Sequence, residues 1–181
     1  WGGQFENLLQ AKRKFMLVVP VTLMLVFVLL FFSLRNLRDV ALIYLGIPFA
    51  AVGGVLGLWL RGIPFSVSAA IGFIALCGIA VLNGQILVTA IRSRIAQGMD
   101  VERAVKVATA DRLRPVLATA ITDAVGFIPM AISTGVGAEV QRPLATVVIA
   151  GVTTSTLLTL LVLPLLYLAS SKSVPTKEQH N

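Results

Sequence analysis

RLRPVLATAITDAVGFIPMAISTGVG, residues Arg112 to Gly137, decides the class of this chain. From Pro115 onward the stretch is apolar and long enough to cross a bilayer as a helix, and Asp123 sits near its middle. A carboxyl at that depth costs several kcal/mol unless it faces a partner or a water-filled path. Membrane residues of this kind commonly belong to proton or ion routes, so the stretch points to transport across a membrane.

The surrounding sequence has the same character. Of 181 residues, 57% are hydrophobic and 13% charged, where a soluble domain has about a quarter charged. Mean hydropathy is +0.91. The apolar residues come in five blocks of spanning length: Phe15–Leu34, Val40–Leu60, Phe65–Ile91, Pro115–Thr134 and Leu144–Ala169. They predict an all-α membrane protein. After Ala169 the chain turns polar, and 170–181 reads as a disordered tail. The chain starts at Trp1 with no signal-peptide pattern, which suggests a piece of a longer protein.

Net charge is +7, but the basic residues sit between apolar blocks, a pattern of membrane topology and not of nucleic-acid binding. One side of the membrane would hold Arg35, Arg38, Arg92, Arg94, Arg103, Lys106, Arg112, Arg114, Lys172 and Lys177. The other would hold Lys12, Arg13, Lys14, Arg61 and Arg142. The bias places the N-terminus outside and the C-terminus in the cytoplasm. Lys12-Arg13-Lys14 is the discordant feature, since it flanks the first span on the outer side. In the expected cytoplasmic loop 92–114, Ile95, Met99, Val101, Ala104, Val105 and Ala108 share a helical stripe. That stripe predicts a short interfacial helix along the inner surface.

Several residues could carry chemistry. Thr119 precedes Asp123 by one helical turn and Thr122 adjoins it. A carboxyl beside hydroxyls could load and release a proton, or it could only cap a neighbouring helix. Asn83 lies within the third block and either tethers a helix by hydrogen bonds or lines a proton path. Gly53 and Gly57 form a small-xxx-small pair suited to helix packing. Pro20, Pro48, Pro129 and Pro164 permit kinks inside spans. The sequence offers no metal ligand set: His180 is in the tail, the methionines are scattered, and Cys77 is the single cysteine. An enzyme reading fails on inventory, because intramembrane aspartyl proteolysis needs two aspartates and no phosphate-binding loop is present. No cofactor is expected.

Together these motifs resemble the C-terminal part of resistance–nodulation–division (RND) efflux pumps, over nearly the whole chain. GQFENL (Gly3–Leu8) leads into the first span as it does where the second periplasmic domain of such pumps ends, so 1–14 would close a periplasmic connection. RLRPVLAT (Arg112–Thr119), GFIPMAISTGVGAEVQRPLATVVIAG (Gly126–Gly151) and TLLTLLVLPLLY (Thr156–Tyr167) look like the heavy-metal branch. GAEVQRPLA and LNG (Leu82–Gly84) most resemble its cobalt–zinc–cadmium type. The resemblance implies the last five of twelve transmembrane helices of a proton-driven inner-membrane trimer. It also implies a periplasmic adaptor and an outer-membrane channel as partners. Drug-exporting relatives carry a relay lysine where Leu82 stands here, followed by the matching Asn83. The copper/silver type has an acid near that point, which this chain lacks. Thr119 matches a hydroxyl near the relay of drug pumps. Asp123 stands where the cobalt–zinc–cadmium type has a small or apolar residue. The implied function is export of heavy-metal cations by cation/proton antiport. An exporter of organic compounds, or a non-transporting scaffold or remnant, are the alternatives.

Overall fold

The computed structural model describes residues 2–172, with side chains for 13, 14 and 16–171. Those residues form five helices: α1 Gly2–Leu34, α2 Leu37–Leu60, α3 Val67–Ala96, α4 Val101–Ile132 and α5 Ala138–Lys172. All five are long and apolar enough to cross a membrane. Helices are the form that lets a chain satisfy its backbone polar groups within each segment, without water.

The connections are short, so successive helices run in opposite directions. Each break has a local cause. Arg35 adopts a left-handed conformation (φ 50°) that ends α1. Asn36 then caps α2, its side chain accepting from the Arg38 N–H at 3.1 Å. Ser66 caps α3 through Ala69 N–H at 3.2 Å, and Asp100 caps α4 through Glu102 N–H at 3.2 Å. Gly98 (φ 84°) and Gly137 (φ 90°) supply the positive φ that their turns require. The alternation puts Arg35, the turn at Gly98 and Ser170 at one end of the bundle. Arg61 and Gly137 lie at the other.

α5 is the central helix. Over half of its membrane-length window is buried (56%), against 11% for α1 and for α4. It packs on α2, α3 and α4. Small residues allow the close approach. A Cβ on Gly57 would overlap the Cβ of Ala150, and one on Gly53 would overlap the Thr154 side chain. On α3, a Cβ at Gly72 would come within 3.0 Å of the Leu144 carbonyl oxygen. α2 and α5 therefore meet almost backbone to backbone, as small residues permit in membranes.

Boundaries differ from the sequence expectation at several places: α3 starts at Val67 and not Phe65, and α4 ends at Ile132 and not Thr134. The amphipathic stretch in 92–114 is helical from Val101, but it is not a separate helix on the membrane surface. It continues through Pro115 into the fourth span as one helix of 32 residues. Its stripe faces protein: Val105 and Ala108 are buried in a core cluster with Leu87, Ile91 and Tyr167, and Ile95 and Val101 pack against that cluster. A proline removes one donor and permits a bend, which is less than a helix break when both flanks are packed. α5 likewise starts at Ala138, before Pro143, and continues past Ala169 to Lys172. The remainder of the expected tail, 173–181, falls outside the described residues.

Gly57→Leu in the full-length protein should lower stability by about 1–3 kcal/mol or more, because the overlap with Ala150 has no room to relax. Gly46→Ala, where a Cβ meets nothing within 4 Å, should be neutral or mildly stabilising. Thermal unfolding in detergent, followed by size-exclusion chromatography, checks both. Equal midpoints for the two variants would refute the close α2–α5 contact.

Candidate functional site

Asp123 lies on α4, eight residues after Pro115 and nine before Ile132. A rise of ~1.5 Å per residue puts it ~14 Å along the axis from Ile132, well inside hydrocarbon depth. It is half-buried at the edge of the face formed by Val116, Ala120 and Ala131. Beside it on the other side the helix surface is exposed at Thr119, Gly126 and Thr122, and the exposed apolar stripe of Leu117, Ile121, Val125 and Ile128 lies beyond the opposite edge of the packed face. Asp123 thus stands at the border between the packed interior and an uncovered face of small and hydroxyl residues.

The neighbouring hydroxyls do not serve it. Thr119 donates to its own helix, to Val116 O at 2.9 Å and Pro115 O at 3.1 Å. The second of these carbonyls is four residues back, the usual partner of a membrane threonine. Thr122 donates to Ala118 O at 2.8 Å. Asn83, on α3, is 5% exposed and shares the buried face with Ala80, Gly84 and Leu87. Leu82 points away from it and is exposed. Among the described residues no hydrogen bond or ion pair joins Asp123, Thr119 and Asn83. The three sit on two helices that both pack on α5, but they do not form one cluster.

α5 carries a polar seam. Thr146, Ser155, Thr156 and Thr159 are all buried. Thr146, Thr153 and Thr154 return their hydroxyls to the carbonyl four residues back. Ser155 Oγ and Thr156 Oγ1 have no hydrogen-bond partner, which leaves two buried hydroxyls able to bond a group or a water entering between the helices.

The charged residues of the bundle ends were also missed as a constellation. Asp39, in the first turn of α2, is 2% exposed. Its Oδ2 is 3.6 Å from Arg92 Nε on α3 and has no hydrogen-bond partner. Arg92 also donates to the Leu34 carbonyl, an orphan acceptor at the end of α1. Arg38 reaches α5, donating from Nε to Ser170 Oγ at 2.9 Å and stacking over the Tyr167 ring at 5.8 Å. Four helices are joined at this end. At the opposite end Arg61 donates to Thr146 Oγ1 and to the Ala131 carbonyl, both at 2.8 Å. It ties α2 to α5 and α4. The signal for these clamps was present in RNLRD and RGIP, but sequence alone does not show which carbonyl or acid an arginine meets.

Among the described residues no group of three or more His, Cys, Asp or Glu side chains could hold a metal ion. At membrane depth the described polar groups are the Asp123 carboxylate, the Asn83 amide and the hydroxyls of α4 and α5.

Comparison with known proteins places this architecture. The AcrB/AcrD/AcrF family matches residues 1–171. Over 167 residues, 92% of this chain, the sequence is 59% identical to the cobalt-zinc-cadmium resistance protein CzcA of Cupriavidus metallidurans. It is 51% identical over 166 residues, again 92% of the chain, to the nickel and cobalt resistance protein CnrA of the same organism. A crystal structure of a heavy metal efflux pump superposes with a TM-score of 0.85 at 45% identity, covering 94% of this chain. The chain spans 16% of the length of CzcA, 15% of CnrA and 17% of the crystallised pump.

Truncating Arg92 to Ala should destabilise the full-length protein by about 1–3 kcal/mol. That is below the cost of breaking a fully buried pair, because the Arg92 side chain is 40% exposed. Asp39→Asn in the same background should recover part of the loss by removing the stranded charge. The check is a double-mutant cycle on thermal stability in detergent. Strict additivity of the two changes would show that the pair does not interact.

Proposed function

The chain belongs to the AcrB/AcrD/AcrF family of RND efflux pumps, a family of multi-pass membrane transporters, and on that premise we propose that it forms the C-terminal transmembrane part of a proton-driven heavy-metal exporter. The cargo class is the divalent cations of the cobalt–zinc–cadmium group. The observation that carries this reading is the high identity to metal-resistance proteins across nearly the whole chain. GAEVQRPLA and LNG support the same subgroup, and the absence of a lysine at position 82 argues against the drug-exporting alternative.

The pump works as a homotrimer in the inner membrane, joined to a periplasmic adaptor and an outer-membrane channel. Its N-terminal end here is periplasmic and its C-terminal end cytoplasmic. The distribution of basic residues supports that orientation: Arg35, Arg38, Arg92 and Arg94 gather at one end of the bundle and Arg61 stands at the other.

In the proposed mechanism the metal is bound and moved by parts of the pump beyond this chain. This chain contributes to proton coupling. Asp123 takes up a proton from one side and releases it to the other as the bundle changes its packing. Its position at the border of an uncovered face supports the role, since a further helix could cover that face and supply the counter-charge that α1–α5 lack at this depth. Asn83, buried on α3, and the unpartnered hydroxyls of Ser155 and Thr156 on α5 can hold water between the helices. Thr119 has a smaller part, because its hydroxyl is committed to its own helix.

Asp123→Asn in the full-length pump should cut proton-driven metal efflux by about tenfold or more, since amide for carboxyl keeps the size and removes the titratable proton. Thr119→Val should change the rate far less. Efflux from proteoliposomes under an imposed pH gradient measures both, with expression and trimer formation checked alongside. Wild-type rate and pH dependence in the Asn variant would make Asp123 structural.

Reporter fusions after Gln97 and Gly137 should read cytoplasm and periplasm respectively. The reverse pattern would overturn the orientation.

A further inference from the structure

The route through Asp123 leaves one buried acid unused. Asp39, in the first turn of α2, is 2% exposed, and α1 to α5 bury it without help from any further segment. Its Oδ2 accepts no hydrogen bond among the described residues. Its ion-pair partner is Arg92 on α3, whose Nε stands 3.6 Å away, a contact by charge and beyond ordinary hydrogen-bond reach. Arg92 gives its hydrogen bond to the Leu34 carbonyl of α1 instead. Two other groups act on Asp39: the Arg38 charge on its own helix and the Tyr167 phenol on α5. Arg38 is already committed to Ser170. From α4 the same core receives the apolar Val105 and Ala108.

Both protonation states of Asp39 have a place in this arrangement. The carboxylate faces the Arg92 charge. The neutral acid strands no cation, because Arg92 keeps the Leu34 carbonyl and its side chain is 40% exposed to water. The same exposure brings solvent to the edge of the pair. Depth separates the two acids. Arg61 bonds both Thr146 of α5 and the Ala131 carbonyl of α4, which sets a common level at the periplasmic end of the proposed orientation. Counting ~1.5 Å per residue from that level, Asp123 lies ~12 Å in, the unpartnered Ser155 and Thr156 ~14 Å, and the buried Thr159 ~20 Å. Asp39 lies ~33 Å in, at the cytoplasmic edge of a hydrocarbon core ~30 Å thick.

We propose that Asp39 is the group that releases the imported proton to the cytoplasm. The proton reaches the carboxylate from the bundle interior and forms the neutral acid, while Arg92 holds the Leu34 carbonyl. It then passes to cytoplasmic water beside the exposed guanidinium, and the carboxylate faces Arg92 again. One O–H bond forms and one breaks, and the charge carried away is that of the proton. Arg92 is the positioning residue: its bond to α1 and its pairing with α2 hold the junction of three helices around the exchanging acid. This inference rests on the proton-driven reading above and adds an exit residue to it.

The test uses the full-length pump in proteoliposomes. Zinc efflux is driven by a fixed pH difference while the pH on the cytoplasmic face is varied. Wild-type efflux should slow as that face is acidified. Asp39→Asn should lose about tenfold or more of the rate, and the residual rate should no longer follow cytoplasmic-face pH. Asp39→Glu keeps a carboxyl and should restore most of the rate. Infrared difference spectra between acid and alkaline buffers read the acid without any transport. The carbonyl band of a protonated carboxyl should shrink in Asp39→Asn and move in Asp39→Glu. Wild-type protein without gradient-driven efflux would sink the proton-driven reading and this assignment with it. Gradient-driven wild type matched by Asp39→Asn in rate and pH profile would overturn the Asp39 assignment alone. So would an unchanged infrared band in both variants, or equal loss of efflux in Asn and Glu variants, the mark of a purely structural acid.

Discussion

The contact between α2 and α5 is the constraint on which the rest of the bundle depends. Lipid offers helices little hydrophobic reason to associate, so packing and polar contacts must hold them together. Gly53 and Gly57 remove the side chains that would separate the two backbones, and Ala150 and Thr154 occupy the freed space. Gly72 does the same for α3 against α5. With α2 and α3 both seated closely on it, α5 becomes the axis of the bundle. α4 packs along that axis, whereas among the described residues α1 touches α2 and α3 alone and leaves a cleft.

Polar groups then fix the ends of what the glycines bring together. Arg61 fastens one end of α2 to Thr146 and to a terminal carbonyl of α4. Arg38, Asp39 and Arg92 fasten the other end to α5, α3 and the last carbonyl of α1. Arg61 and Arg92 serve carbonyls at helix ends, and Arg92 also faces the buried acid Asp39, while Arg38 bonds the Ser170 hydroxyl, roles the guanidinium's several donors suit. The arrangement makes α2 to α5 a braced unit in which, among the described residues, the fully buried mid-membrane polar side chains are Asn83 and the α5 hydroxyls. Asp123, proposed above as a proton carrier, lies at the edge of this unit's packed face.

Much of the fold was legible because membrane spans announce themselves by length and apolarity. Each of the five expected blocks lies on its own helix, with Phe65 and Ser66 before α3 and Ser133 and Thr134 after α4 left outside. Where the reading went astray, it did so at Pro115. The amphipathic stripe before it suggested a surface helix separate from the span, yet packing of Val105 and Ala108 on the core carries one helix across both. A stripe of small apolar residues reads the same whether it lies on lipid headgroups or on protein. For the candidate site, Asp123, Thr119 and Asn83 were visible as polar residues in apolar blocks, but their shared surroundings were not. Thr119 precedes Asp123 by one turn, as the spacing required, yet its hydroxyl turns back to its own backbone.

The sequence by itself determined the membrane class, the number and rough extent of the helices, the resemblance to RND pumps and the depth of Asp123. Each of these depends on composition and order along the chain, which a linear reading captures. Only the tertiary structure decided that α5 is central, that Asp39 is buried against Arg92, that Ser155 and Thr156 lack partners, and that a cleft divides α1 from α3. Those are facts of rotation and separation between helices. They are set by which small residues happen to face one another, and two helices distant in sequence carry no linear record of that meeting.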